Sequence, residues 1–340
     1  MKIFCDGVFD LFHFGHVNHF KKIKQTYPKS TLLVGVLDDK ECISYKRKPT
    51  FNQKQRLEFV NSCKYVDEVT LEYPSIMTKD YMDKNNIDLV VHAFSNKKDY
   101  EKQLHFFKIP IELNKFSVID YDTRISSSTI LDQLNENKIN LFESNKNGWD
   151  LIWEKKGNIV ENDITLLNGY EDTEFNAKKC FKNIIENLRL DKDDIILEVG
   201  CGAGLISQYF KDYNYFGIDY SLSLTLKNIK LFNNKIYNCE AKELPFKNKY
   251  FDYTFSVGVF EYFPSKEYMK QVLNELERVT KKGIYIINLR SNTHTQKKTK
   301  HKFEGVFTHI IYTKEDFNGY KEIEPTYEKN DRFSVIKFLL

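Results

Sequence analysis

The chain has 340 residues, and its 51 basic and 48 acidic side chains leave a formal net charge of +3. This length exceeds what one hydrophobic core usually serves, so we expect two domains of roughly 150 residues each. Because charges of both signs are interspersed, the composition excludes a general attraction to nucleic acid or to a membrane surface, and anionic partners would be bound locally.

The N-terminal stretch MKIFCDGVFD does not read as a signal peptide, because Asp6 interrupts it before an apolar region forms. No later run approaches the roughly 18 apolar residues that a membrane helix needs. The six cysteines are scattered without a C-x-x-C pair, which indicates reduced thiols and neither a disulfide framework nor a zinc ribbon. We therefore expect a cytoplasmic protein.

Short apolar runs alternate with amphipathic segments twice along the chain, which predicts two parallel α/β sheets. The first predicted strands are KIFC, TLLVGVL, VDEVTL, IDLVVHA and FSVID. The second series is IILEVG, YFGID, KIYNC, DYTFSVG and GIYIINL. Two further alternating stretches, VFTHIIYT and FSVIKFLL, predict antiparallel strands that complete the second sheet.

Between the two series lies LNENKINLFESNKNG, residues 134–148, which is polar, rich in Asn and Lys, and poor in apolar anchors. Such a composition is typical of a linker. The sequence thus predicts the α/β class with two Rossmann-like domains, over residues 1–135 and 149–340, joined by a linker at 136–148.

The segment after the first strand, GVFDLFHFGHVNHF, carries His13, His16 and His19 at intervals of three residues and leads into a predicted helix. In α/β sheets, ligands lie at the carboxyl ends of strands, beside helix N-termini whose free N–H groups favour phosphate. His13 and His16 lie at the helix entry, and Gly15 lets the backbone approach a ligand closely. Two imidazoles there can donate hydrogen bonds to phosphate oxygens during a displacement, which indicates nucleotidyl transfer.

Two other interpretations of these histidines stay open. Zinc ligation by all three is one, although catalytic zinc sites on one helix usually use i, i+4 spacing. The other is that they are surface histidines without a chemical role. His19, one turn farther along the helix, is expected to face away from the site.

GVFDLFHFGH resembles the H-x-G-H signature of the cytidylyltransferases, and the similarity continues through YKRKPTFNQKQRLEFVNSCKYVDEV at 45–69 to RISSSTI at 124–130. The resemblance implies a nucleotidyltransferase domain with a parallel sheet over residues 1–135. Its relatives join CMP from CTP to phosphocholine, phosphoethanolamine or glycerol 3-phosphate. A divalent ion, Mg²⁺, is expected because pyrophosphate is the leaving group.

By this resemblance the catalytic residues would be His13 and His16, which bind the triphosphate and stabilise the transition state, and Lys46, which contacts the phosphates as a mobile point charge. Asp10 would orient the loop or contact Mg²⁺ indirectly. The serine run would offer hydroxyls and backbone N–H groups to phosphates, although such runs are also common helix caps. The full nucleotide-binding set is Gly7, Phe9, Asp10, Gly15, Arg124, Ser126, Ser127 and Ser128.

The sequence departs from the family pattern in two places. Where relatives carry R-T-x-G-I-S-T-S, the stretch YDTRISSS has Tyr121 at the Arg position and Arg124 at the Gly position. After the fourth strand, HAFSN stands where relatives often carry H-G-x-D. Arg124 would replace the missing charge, and the identity of the phosphorylated alcohol stays open.

The stretch IILEVGCGAGLISQYF predicts a strand, a glycine turn and a helix, with Asp219 ending the next strand. Such turns bind dinucleotides or S-adenosylmethionine, and an acid about 20 residues further on takes ribose hydroxyls in both cases. The G-x-G-x-G spacing and Glu198, which suits a ligand with an ammonium group, favour S-adenosylmethionine. A dehydrogenase and a turn without a ligand are the alternatives.

The stretch CEAKELPFKNKYFDYTFSVGVFEYF resembles the later motifs of class I methyltransferases, and that resemblance spans about 147–340. It implies a class I methyltransferase sheet with S-adenosylmethionine as cofactor. Glu198 would hold the methionine amino group through water, Asp219 the ribose, and Glu240 with Ala241 the adenine. Three glycines would let the cofactor lie against the backbone: Gly200, Gly202 and Gly204.

Two segments of the second domain are candidates for substrate contacts. GWDLIWEKKG, 148–157, looks like an N-terminal lid, and Trp149, Trp153 or Tyr170 would face a cation unless they serve packing. The basic run THTQKKTKHK, 293–302, would dock a phosphate unless it is only a solvated face. His309 is expected to be structural.

Together the motifs predict a bifunctional enzyme that transfers CMP to a phosphorylated small alcohol and a methyl group to a related small molecule. One alternative is a nucleotide-binding domain that only regulates or scaffolds the methyltransferase, and another is an adenylyltransferase in place of the cytidylyltransferase. Its partners would be small molecules rather than nucleic acid or membrane, and the resemblance allows a homodimer.

Overall fold

The computed structural model describes residues 1–45, 47–122, 126–128, 130, 149–159, 163–170, 175–291, 299–300, 306–307, 309–323 and 332–339. The chain divides into two compact units. The first comprises Met1–Asn135 with Pro245–Lys247, and the second Glu136–Leu244 with Asn248–Leu340. The predicted linker, 136–148, lies outside the described residues.

The first unit is built on five parallel strands, all of them predicted from the sequence: β1 (Lys2–Gly7), β2 (Thr31–Val36), β3 (Glu68–Thr70), β4 (Leu89–His92) and β5 (Phe116–Val118). Their order across the sheet is β3-β2-β1-β4-β5, so the order reverses between β1 and β4. In such sheets ligands bind at the carboxyl edge beside the reversal.

Helices cover this first sheet. They are α1 (Phe14–Thr26), α2 (Asp39–Tyr45), α3 (Gln53–Ser62), α4 (Lys79–Lys84), α5 (Lys97–Gln103), a 3₁₀ turn (Leu104–Phe107) and α6 (Lys108–Glu112). Phe20 and Ile23 of α1 are fully buried, as are Ile3, Phe4 and Cys5 of β1. Continuous apolar runs in the strands therefore correspond to a sheet that is buried on both faces.

The second unit contains a seven-stranded mixed sheet: β6 (Ile195–Val199), β7 (Asn214–Asp219), β8 (Lys235–Asn238), β9 (Phe251–Val257), β10 (Thr280–Arg290), β13 (Lys321–Ile323) and β14 (Arg332–Phe338). The order is β13-β14-β10-β9-β6-β7-β8, with β14 antiparallel to both of its neighbours, β13 and β10, and the other pairs parallel. The order reverses between β6 and β9, which directs a ligand to the carboxyl ends of those strands.

The helices of this unit are α7 (Trp149–Ile159), α8 (Ile164–Leu167), α9 (Ala177–Leu188), α10 (Leu222–Phe232) and α11 (Lys266–Val279), with 3₁₀ turns at Ser207–Tyr209, Phe260–Tyr262 and Lys314–Phe317. With two sheets of this kind, the predicted α/β class is confirmed. Of the helices described in the two units, none is long and apolar enough to cross a membrane.

One of the two predicted C-terminal strands is wrong. FSVIKFLL forms β14 as expected, but among the described residues of VFTHIIYT only β12 (Val306–Phe307) is a strand, and it pairs with β11 (Thr299–Lys300) outside the main sheet. The edge strand of that sheet is β13 instead. Tyr312 is fully buried, with its backbone N–H bonded to the Arg290 carbonyl at 2.9 Å, and this stretch meets the main sheet through a parallel bridge of Tyr312 to Ser291, the residue after β10.

Candidate active sites

Two of the predicted histidines organise the N-terminus of α1. His13 is the N-cap residue, and its Nδ1 accepts the backbone N–H of Gly15 at 3.2 Å. The backbone N–H of His13 donates to Nδ1 of His16 at 3.3 Å, and the two rings stack with centroids 3.8 Å apart. Because each Nδ1 accepts a hydrogen bond, each ring in its neutral form carries its proton on Nε2.

His13 is nearly inaccessible, with 4% of its surface exposed. Burial lowers the pKa of its imidazole to about 3, so the ring is neutral near pH 7 and its Nε2 is an N–H donor. This Nε2 has no hydrogen-bond partner among the residues that the structure describes. A buried donor without a partner costs about 1–3 kcal/mol, and this one lines a cavity at a helix N-terminus, where anions are favoured.

Asp10 joins three segments of the first unit. Its buried carboxylate accepts hydrogen bonds from Arg47 Nη1 at 2.8 Å and from the backbone N–H groups of Thr50 at 3.0 Å and Phe51 at 3.1 Å. Its backbone carbonyl accepts the Ser127 hydroxyl at 2.6 Å. The carboxylate is thus engaged in holding the loop after α2, which fits the loop-orienting role better than contact with Mg²⁺.

No sequence pattern marks Arg56, yet it is fully buried on α3 beneath the same loops. Its guanidinium donates to the backbone carbonyls of Val8, Leu37 and Phe51. It also donates to the Asp39 carboxylate at 2.8 Å. Hydrogen bonds from a charged donor are about twice as strong as neutral ones, so Arg56 fixes the segments that follow β1 and β2.

A cavity of about 500 Å³ lies at this carboxyl edge of the first sheet. It is lined by most of the predicted site residues: Gly7, Phe9, Asp10, His13, Gly15, His16, Ser126, Ser127 and Ser128. The other two predicted residues, Lys46 and Arg124, lie outside the described residues.

Side chains beyond the predicted set also line this cavity. His92, at the end of β4, has its Nδ1 3.2 Å from Oδ1 of Asp6, and Tyr121 lies at the position where relatives carry Arg. His19 lines the cavity too, so the expectation that it faces away is wrong. Residues three apart share a helix face, which keeps His19 on the side of His16. Burial lowers the pKa of His19 to about 4.

The turn after β6 requires glycine at two positions, because a side chain at either would be strained and would clash with neighbouring residues. Gly200 has φ +77° and Gly202 has φ +52°, both in the left-handed region. A Cβ would lie 2.3 Å from Val259 at the first position and 2.2 Å from Asn168 Oδ1 at the second. The backbone N–H of Gly202 donates to Asp219 Oδ2 at 2.8 Å, which ties the turn to the end of β7.

Two carboxyl groups face this turn, that of Glu198 buried and that of Asp219 partly buried. Burial raises the pKa of Glu198 to about 8, and the Tyr215 hydroxyl donates to its Oε2 at 2.6 Å. Burial also raises the pKa of Asp219 to about 6, while the backbone N–H groups of Gly202 and Ser221 each donate to it at 2.8 Å. Carboxyl groups that are hard to ionise fit a ligand that brings positive charge.

A cavity of about 570 Å³ opens beside the turn. The predicted residues that line it are Glu198, Gly200, Gly202, Asp219, Glu240 and Ala241. Gly204 is not among the lining residues; its φ is +102°, and a Cβ there would lie 2.6 Å from Phe232. The lack of a side chain at Gly204 therefore allows the turn to pack closely against α10.

Glu154 ties α7, the helix that the sequence suggested as a lid, to the N-terminus of α10. Its carboxylate accepts the backbone N–H groups of Leu222 at 2.5 Å and Ser223 at 3.1 Å, at the N-terminus of α10. An acid at that position is favoured by the helix dipole. Trp153 and Tyr170 both line the cavity. The Trp149 side chain and most of the basic run 293–302 lie outside the described residues.

Sequence patterns missed three charged residues in the same cavity. Arg290 ends β10, Arg332 begins β14, and the antiparallel register places them directly opposite each other. The Glu261 carboxylate forms ion pairs with both, at 3.1 Å from Arg332 Nη1. Arg290 and Arg332 are more than 40 residues apart in the chain and become neighbours only through the register of β10 and β14, so no local sequence spacing predicts their contact.

Comparison with known proteins finds one matching family model within each unit. Residues 4–133 match the family model Cytidylyltransferase-like, and residues 197–287 match the family model Methyltransferase domain. Choline-phosphate cytidylyltransferase 2 of Arabidopsis thaliana is 38% identical over 92 residues, which make up 27% of this chain and 30% of that protein. An ethanolamine-phosphate cytidylyltransferase of Dictyostelium discoideum is 37% identical over 93 residues, 27% of this chain and 25% of that protein.

The chain thus spans less than a third of the length of these curated relatives. Among solved structures, a SAM-dependent methyltransferase from Methanosarcina mazei aligns with a TM-score of 0.39 and 21% identity, covering 46% of this chain and 97% of that one. The two family matches confirm both resemblances read from the motifs. The chain therefore combines an N-terminal domain of the cytidylyltransferase-like family with a C-terminal methyltransferase domain.

Proposed function

We propose that the first unit transfers CMP from CTP to the phosphate of a small phosphorylated amino alcohol and releases pyrophosphate. The observation that carries this proposal is the buried Nε2–H of His13, which has no partner among the described residues and lies at the N-terminus of α1. A donor fixed there before the ligand arrives stabilises negative charge that grows on the leaving pyrophosphate, without reorganisation during the reaction.

In this reaction an acceptor phosphate oxygen attacks the α-phosphorus of CTP, and the bond to the β-phosphate oxygen breaks. His13, His16 and the serines at 126–128 would contact the triphosphate, and by family resemblance so would Lys46 and Arg124. A divalent ion would be held mainly by phosphate oxygens.

The names of the relatives support our choice of acceptor class. The Arabidopsis and Dictyostelium proteins are cytidylyltransferases of choline phosphate and ethanolamine phosphate. We therefore favour a phosphorylated amino alcohol over glycerol 3-phosphate for this chain.

For the second unit we propose methyl transfer from S-adenosylmethionine to a small molecule related to the substrate of the first unit. Asp219 would bind the ribose, Glu198 the methionine amino group through water, and Glu240 with Ala241 the adenine. The support comes from the left-handed turn at Gly200 and Gly202, which lines the cavity, and from the carboxyl groups of Glu198 and Asp219, whose pKa values are raised. When bound, this cofactor would supply an electrophilic methyl group.

The test incubates the full chain with Mg²⁺, CTP or ATP, and phosphoethanolamine, phosphocholine or glycerol 3-phosphate, with and without S-adenosylmethionine. Pyrophosphate release and product mass are followed. We expect a CMP adduct of an amino alcohol, and a methyl mass gain on a related product. Absence of pyrophosphate with every acceptor would contradict the proposal in favour of a domain that only binds nucleotide, and an AMP adduct would replace CTP by ATP.

A further inference from the structure

Arg290 and Arg332 form an unusual pair in the second unit. They are direct cross-strand partners at the end of β10 and the start of β14, and both line the cavity of the glycine turn. Like charges directly opposite each other destabilise an antiparallel pair by roughly 0.2–1 kcal/mol. Their guanidinium groups are mostly buried, with side-chain exposures of 15% and 16%. Two largely buried arginines in this arrangement cost folding stability, so we looked for what offsets their charge and for what they could bind.

Glu261 compensates only one of these two charges. Its carboxylate pairs with Nε of Arg290 and with Nη1 of Arg332, and the same Nη1 donates to the Asn288 carbonyl at 2.9 Å. Among the described residues, the two Nη groups of Arg290 have no hydrogen-bond partner. The cluster thus keeps one excess positive charge and several N–H donors beside a cavity, which is the chemistry of an anion site.

The walls near this cluster are aromatic. The rings of Trp153 and Tyr262 meet edge to face at 5.3 Å, and Tyr170 also lines the cavity. The Tyr170 hydroxyl lies over Gly258, the residue after β9, where a Cβ would be only 2.5 Å away. Aromatic faces favour an amine or a methylated ammonium group.

A buried amide adds a polar contact for such an amine. The side-chain Oδ1 of Asn288 has no hydrogen-bond partner among the described residues, and the residue lines the same cavity. Its φ of +62° is left-handed, a conformation that is uncommon for residues other than glycine and that often occurs at functional sites. An N–H of the acceptor would satisfy this oxygen.

We propose that Arg290 and Arg332 bind a phosphate group of the methyl acceptor, so that the second unit methylates a small amine that carries a phosphate ester. This inference rests on the proposed methyltransferase function and specifies its substrate class. The phosphate would receive N–H donors from the guanidinium groups, while the amine lies against the aromatic wall. The nitrogen lone pair forms the new N–C bond as the S–C bond of the sulfonium breaks, and the resulting ammonium releases one proton to solvent.

The test measures initial methylation rates of the full chain with saturating S-adenosylmethionine and no nucleotide. The acceptors are phosphoethanolamine, ethanolamine as the same amine without phosphate, and β-alanine as an amine with a carboxylate. We expect kcat/KM for phosphoethanolamine to exceed that for the other two by about 100-fold. Charge-assisted hydrogen bonds contribute about 1.5–3 kcal/mol, so Arg290→Gln should reduce this preference by roughly 10- to 100-fold, mainly through KM.

Two further variants make the result specific. Arg290→Lys keeps the charge but not the paired donors, and we expect an intermediate preference. Lys211→Gln removes one positive charge from an exposed residue outside the cavity lining and should leave the preference unchanged. Binding of S-adenosylmethionine, measured by calorimetry, shows that each variant is folded. If Arg290→Gln does not bind the cofactor, the preference for phosphoethanolamine is compared between the wild type and Arg290→Lys instead.

The outcomes separate this inference from the function on which it rests. If the wild type does not bind S-adenosylmethionine, the methyltransferase proposal itself fails. If it binds the cofactor but methylates ethanolamine or β-alanine as well as phosphoethanolamine, or none of the three, the phosphate site is overturned. An unchanged preference in a folded Arg290→Gln variant would overturn it as well.

Discussion

At the scale of single residues, His13 has two separable tasks on one ring. Nδ1 caps α1 by accepting the N–H of Gly15, and Nε2–H is the donor that we assign to the triphosphate. His13→Ala should lower the rate of pyrophosphate release by roughly 10²–10³-fold, and the lost cap should cost about 1 kcal/mol of stability.

His13→Asn is the matched control, because Asn is a good N-cap but does not place a donor where Nε2 lies. We expect thermal unfolding of this variant to lie close to that of the wild type while pyrophosphate release stays as low as in His13→Ala. If His13→Asn released pyrophosphate within a few-fold of the wild type, the catalytic assignment would be wrong.

Glu198 should couple cofactor binding to proton release. Burial raises its pKa to about 8, so the free protein holds this carboxyl mostly protonated at pH 7. The ammonium of S-adenosylmethionine favours the ionised form, hence binding releases a proton and affinity should rise as the pH increases from 7 through about 8. Calorimetry in two buffers of different ionisation enthalpy measures the release, and Glu198→Gln should abolish it. Equal enthalpies in both buffers for the wild type would contradict the assignment.

At the scale of elements, the Glu154 side chain ties α7 to the N-terminus of α10 within the second unit. Glu154 accepts two backbone N–H groups at the N-terminus of α10. Glu154→Ala would leave both without that acceptor, and we expect a loss of about 1–2 kcal/mol in unfolding free energy and weaker binding of S-adenosylmethionine. Glu154→Gln keeps one acceptor oxygen and should have a smaller effect in thermal unfolding and calorimetry. Equal melting temperatures for all three proteins would argue against a holding role.

The sequence predicts those elements whose signal is local. Ten strands follow from apolar runs between turns, and the two histidines at the entry to α1 follow from spacing and a glycine. The edge strand β13 was missed because two of its three residues, Lys321 and Glu322, are exposed and charged, whereas VFTHIIYT alternates like a strand but meets the sheet only through the bridge of Tyr312 to Ser291.

Long-range partners could not be predicted in the same way. Arg56 reaches carbonyls that follow two different strands, and Arg290 meets Arg332 only through the register of β10 and β14. Gly204 belongs to the G-x-G-x-G spacing, yet its backbone geometry gives it a packing role. Spacing along the chain thus predicts the site residues that belong to one local turn. The residues contributed by distant segments depend on tertiary packing and strand register, which local spacing does not encode.

At the scale of the whole molecule, the two sets of site residues lie in different units. A substitution among the site residues of one unit should therefore leave the reaction proposed for the other unit intact. His13→Ala should lower pyrophosphate release by roughly 10²–10³-fold and retain methyl transfer, and Asp219→Ala should retain pyrophosphate release and strongly reduce methyl transfer. Both rates are measured on the same preparations of the full chain. Loss of both activities in both variants would show that the units do not work independently.

The position of β14 in the second sheet has a consequence for how this unit is made. Arg332 closes the cavity from a strand inserted between β10 and β13, although roughly 130 residues separate it from the glycine turn. On the ribosome, the residues of the cofactor turn are synthesised well before this strand, and domains fold from the N-terminal side as they emerge. A nascent chain halted after β10 would thus carry the residues of the cofactor turn but lack one of the two arginines that we assign to the acceptor, so acceptor selectivity is expected to be acquired last.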